Sequence, residues 1–98
     1  MSPARAIFLQ PEPADRLSSL RARIDELDLG ILRLVEQRGS VVEEIPQLKQ
    51  SRGQPVLDED RERQLLERLR ALHRGPHDWL EVEDLFRQLL AMSKGLAK

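Results

Sequence analysis

Residues 17–50, LSSLRARIDELDLGILRLVEQRGSVVEEIPQLKQ, decide the fold. Apolar side chains fall at Leu17, Leu20, Ile24, Leu27, Ile31, Leu34, Val41, Ile45 and Leu48. With Arg38 counted in the seam, the spacing alternates three and four without a break, the pattern of one long helix with a narrow apolar stripe. Such a helix runs roughly 50 Å at 1.5 Å per residue. A compact chain of this length is only about 33 Å across. Part of the stripe therefore needs cover from outside the chain, most economically from a second copy in a symmetric dimer.

The rest of the chain supports a small all-α protein. Its 98 residues suffice for one domain. Hydrophobic residues make up 40% and aromatic ones only 3%, so the core is built from Leu, Ile and Val, which favours helix packed on helix. Charged residues reach 34% but cancel to a net −1, which leaves no basic field for nucleic acid. There is no Cys, which excludes disulfides and thiolate metal sites and suits a reducing cytoplasm. The early apolar run Ala6–Leu9 is too short for a signal peptide, and no stretch approaches membrane-spanning length. The expectation is a soluble cytoplasmic protein.

Residues 1–15 carry Pro3, Pro11 and Pro13 with little periodicity and read as a flexible arm, leaving 16–98 as the helical domain. The long helix is expected to begin near Asp15 or Leu17, with Asp15 as N-cap. Gly30 and Pro46 oppose it, at about 1 and 3 kcal/mol. Both lie off the stripe, and Leu48 continues the spacing, so Pro46 predicts a kink rather than a stop. Ser51–Leu57, with Gly53 and Pro55, reads as a loop. Asp58 is a good N-cap for a short second helix whose face is Leu65, Leu66, Leu69 and Leu72, ended by Gly75-Pro76. Asp78-Trp79-Leu80-Glu81 has the form of a capping box for a medium third helix bearing Val82, Leu85, Phe86, Leu89 and Met92 and ending near Gly95.

Chemistry is sought where polar residues interrupt these faces, because a buried charge is costly unless paired. Arg38 sits in the seam outright. Lys49, eleven residues on, lies only about 20° round the helix. Arg21 and Asp28 line the neighbouring row. Glu62 points the way Leu65 and Leu66 do, and Ser93 shares the face of Leu89. Taken singly, most have a plain structural explanation: Arg21 paired with Asp25 on a wet surface, Lys49 snorkelling at a helix end, Glu62 as a first-turn carboxylate. Together they describe a cationic pocket with one carboxylate and one hydroxyl, suited to a small polyanion. His73 and His77 have the spacing of a helical metal pair, but Gly75-Pro76 separates them, so no metal is expected. No phosphate loop, nucleophile elbow or aromatic platform for bases is present.

These residues resemble the all-helical (AroQ-type) chorismate mutases. The matching segments are Leu20–Asp25 with Leu27-Asp28, then Arg38, Lys49 and Pro55–Arg63. Within that family, Arg38–Ile45 and the Gly75-Pro76 turn look most like the mutase domains fused to or partnered with DAHP synthase. The resemblance implies three helices in an intertwined homodimer and the rearrangement of chorismate to prephenate without cofactor or metal. It implies that Arg38 and, from the other protomer, Arg21 hold substrate carboxylates, and that Lys49 donates to the ether oxygen. Glu62 would accept from the ring hydroxyl, Asp58 and Arg61 would support the polar rim, and Ser93 would line the pocket. Ala97 stands where the family commonly places a Gln that donates to the same ether oxygen. The expectation is thus a mutase that is slow without its partner, the alternative being a chorismate- or prephenate-binding regulatory domain of a DAHP synthase.

Overall fold

A computed structural model describes the backbone of residues 13–51 and 58–96 and the side chains of 14–48 and 58–96. The described residues form three α-helices and no strand: α1 (Pro13–Ser51), α2 (Glu59–Leu72) and α3 (Trp79–Leu96). The long–short–medium order is that expected from the sequence. Ser51, expected in the loop, is the last residue of α1; the rest of the stretch expected as a loop, 52–57, most of the expected arm, and Ala97 lie outside the described residues.

The helix ends differ in detail from the expectation. Helix α1 already includes Pro13, so Asp15 lies inside its first turn rather than capping it. The physical reason is that proline lacks only an amide that no first-turn residue uses, while its fixed φ suits the helix. Asp15 still faces the positive end of the helix dipole. At the other end α1 passes through Pro46 and continues to Ser51, so the proline does not stop it.

Helix α2 starts as predicted. The Asp58 side chain accepts from the Arg61 amide at 3.0 Å, and its carbonyl accepts from the Glu62 amide at 3.2 Å. Its far end comes earlier than the Gly75-Pro76 signal. Leu72 is the last helical residue and His73 turns extended, with φ −57° and ψ 131°. The helix must stop before a residue that precedes proline, where the α region is disfavoured. Gly75 then takes φ +109°, a conformation that disfavours any side chain. The His73 ring lies 5.9 Å from that of Trp79, joining the end of α2 to the start of α3. The capping box expected at Asp78 is not made among the described residues. The Asp78 carbonyl instead accepts from the amides of Glu81 and Val82, at 3.1 and 3.2 Å.

The chain divides into two compact units, Met1–Leu34 and Val35–Lys98. In the first, α1 leaves its stripe open to water: Leu27 is 64% exposed and Leu34 65%. Leu29 and Leu32 are exposed as well, so α1 carries apolar surface beyond the single predicted seam. In the second unit, α2 packs on α3. Leu66 is the one buried apolar residue among the described residues, while Val41, Leu72, Leu80, Leu85 and Met92 stay exposed. No helix among the described residues is long and apolar enough to cross a membrane.

Candidate functional site

Arg38 on α1 reaches the C-terminal part of α3. It is half-buried, and its Nη1 donates to the Ser93 hydroxyl and to the Leu89 carbonyl, the latter at 3.4 Å. Ser93 Oγ in turn donates to Leu89 O at 3.0 Å. The serine has one hydrogen and spends it on its own helix, so toward Arg38 it acts as an acceptor. Ser93 stands four residues after Leu89 on α3, which is why the hydroxyl and the carbonyl meet the guanidinium together. The remaining Arg38 donors make no hydrogen bond among the described residues, leaving most of a planar fork free for an oxyanion.

Glu62 occupies the first turn of α2, where Asp58 caps the helix and the dipole favours a carboxylate. It is only 24% exposed and pairs with Lys94 on α3, Nζ to Oε2 3.5 Å. Asp58 and Arg61 border a concave region of about 580 Å³, which Asp60, Gln64, Leu65 and Arg68 complete. Arg38, Glu62 and Ser93 do not line it. Arg61 itself is exposed.

The structure thus brings two of the sequence-derived candidates, Arg38 and Ser93, into direct contact, and places Asp58, Arg61 and Glu62 together at the start of α2. Arg21 belongs to the other unit and is exposed, with no ion pair or hydrogen bond among the described residues. Lys49 lies on the last stretch of α1, and its side chain is outside the described residues. No sequence signal marks Lys94. It stands off the Leu85–Leu89–Met92 face, and a cross-helix ion pair leaves no period to detect. His73 and His77 stay clear of this cluster. His73 Nε2 is buried without a hydrogen-bond partner beside Trp79, and no group of three metal-ligating side chains occurs among the described residues.

Comparison with known proteins gives the cluster its context. The sequence model of the family described as chorismate mutase type II matches residues 20–98. A chorismate mutase of Methanocaldococcus jannaschii is 34% identical over 58 residues, 59% of this chain and 59% of its own length. A bifunctional chorismate mutase/prephenate dehydratase of Stutzerimonas stutzeri is 34% identical over 84 residues, 80% of this chain but 23% of its own length. This chain therefore spans under two thirds of the one relative and under a quarter of the other. The solved structure of a chorismate mutase (form II) from Thermus thermophilus superposes with a TM-score of 0.79 at 34% identity, covering 84% of this chain and 93% of that one. With most of its length matched by the family model and superposed on a solved chorismate mutase, the chain belongs to the chorismate mutase type II family.

Proposed function

We propose that this protein converts chorismate to prephenate, working as a homodimer of the domain formed by residues 16–98. The observation that carries the reading is Arg38, a half-buried guanidinium in the apolar seam of α1, docked on Ser93 and Leu89 with most of its donors unspent. The reaction is a unimolecular [3,3] rearrangement and needs no nucleophile, metal or proton transfer. The protein has to hold the folded conformer of a dianion and stabilise charge growing on the breaking ether oxygen.

In this reading Arg38 grips a carboxylate through its fork and Lys49 donates to the ether oxygen. Glu62 accepts from the ring hydroxyl, Asp58 and Arg61 border the ligand, and Ser93 steadies Arg38. Arg21 comes from the second copy. Support for that copy is the open stripe of α1, since side chains such as Leu27 and Leu34 are about two-thirds exposed in the single chain. A DAHP synthase domain or partner is the finer proposal. It rests on the segment Arg38–Ile45 and the Gly75-Pro76 turn, and the cytoplasm is the compartment such a pathway and the lack of Cys favour.

Ala97, where the resemblance would have Gln, favours a second reading as a weakly active domain that binds chorismate or prephenate and regulates the synthase. Following the loss of chorismate absorbance, with and without added synthase, separates the two. Turnover supports the enzyme. Prephenate binding with no turnover in either condition leaves the sensor, and neither binding nor turnover refutes both.

A further inference from the structure

The C-terminal turn of α3 holds two groups of the proposed site through consecutive residues. Ser93 accepts from Arg38, and Lys94 pairs with Glu62 at 3.5 Å. Both members of the second pair suit their helix ends, Glu62 in the first turn of α2 and Lys94 in the last turn of α3. Their exposures are unequal: Glu62 is 24% exposed and Lys94 48%. The carboxylate is thus the more enclosed partner, and the lysine reaches it from the wetter side.

A carboxylate beside a bound dianion is a liability. It can accept a hydrogen bond from the ligand's hydroxyl, but its charge repels both of the ligand's carboxylates, and the repulsion grows as water is excluded. We propose that Lys94 is a positioning residue of this site: its ammonium holds and neutralises the Glu62 carboxylate, so that this group serves a hydroxyl without repelling a doubly negative ligand. The proposal rests on the mutase reading and extends it to a residue that does not itself touch the substrate. The aim of Glu62 and its electrostatic tolerance both depend on a cation from a different helix.

The test is steady-state kinetics on the full chain and on the variants Lys94→Ala, Lys94→Arg, Glu62→Gln and the double substitution Glu62→Gln/Lys94→Ala. Lys94→Ala is expected to raise KM about tenfold while kcat changes less than about twofold, because the lost term acts on binding. Lys94→Arg, which keeps the charge, restores KM to within about threefold of the unsubstituted protein. Glutamine keeps an acceptor oxygen and removes the charge, so in the Glu62→Gln background the Lys94→Ala change adds nothing further to KM. Circular dichroism and sedimentation confirm that each variant folds and assembles, and Lys94→Gln replaces the alanine variant if that one does not. An unchanged KM in Lys94→Ala, or an equal rise in both backgrounds, overturns the assignment while leaving the mutase reading intact. An unsubstituted protein without turnover overturns the mutase reading, and this inference with it.

Discussion

Leu27→Glu tests whether a second copy covers α1. Leu27 is 64% exposed in the single chain. Covering that remainder stabilises the assembly by about 1 to 2 kcal/mol per protomer, on the scale of about 1.5 to 3 kcal/mol for a whole leucine side chain. Glutamate forfeits this term and adds the cost of taking a carboxylate out of water, several kcal/mol in a poorly paired site. Even about 3 kcal/mol per protomer doubles by symmetry to about 6 kcal/mol per dimer, roughly a 10⁴-fold weaker association. Leucine and glutamate have similar helix propensity, so the helix itself is not on trial. If no second copy covers the position, the change stays within about 0.5 kcal/mol. Sedimentation equilibrium over a range of concentrations reads the outcome, with Leu27→Met as a volume-conserving control that remains a dimer. The reasoning is refuted if the unsubstituted protein sediments at the 11.3 kDa of one chain. It is equally refuted if Leu27→Glu assembles as tightly as the parent.

Three further outcomes are expected. Arg38→Ala removes the charged anchor of the proposed site at a cost of about 3 kcal/mol, roughly 150-fold in kcat/KM, with the circular dichroism spectrum unchanged; a variant that keeps its rate places the site elsewhere. Gly75→Ala meets no atom within 4 Å, so its only cost is the backbone strain of φ +109°, about 1 to 2 kcal/mol, visible as a lower midpoint of urea unfolding. Asp58→Ala removes the α2 cap and lowers stability by about 1 kcal/mol, whereas Asp58→Asn, which still caps, stays within a few tenths.

The helices were legible wherever a local signal coincided with packing. Leu65, Leu66 and Leu69 announced α2, and Asp58 capped it as read. Proline and glycine signals located the helix ends less closely. Pro13 reads as part of the arm, although proline is at home in a first turn, and Gly75-Pro76 marks a stop that the chain reaches at His73. The apolar breadth of α1 exceeds the seam because Leu29 and Leu32 lie off it. Within the candidate site, Arg38 stood out because a charge in an apolar stripe needs an explanation. Ser93 followed from its spacing to Leu89. The Lys94–Glu62 pair was invisible, since nothing in one helix records which ammonium a neighbouring helix brings.

The isolation of Leu66 as the one apolar side chain kept from solvent among the described residues bears on how the molecule survives at low abundance. In the proposed homodimer, with so little to condense around alone, acquiring structure and finding a mate are expected to be a single event for each subunit. The melting temperature then depends on how much protein is in the tube, and every tenfold dilution removes about 1.4 kcal/mol from the assembled form. Newly made chains that have not yet met one another would be the species exposed to proteases.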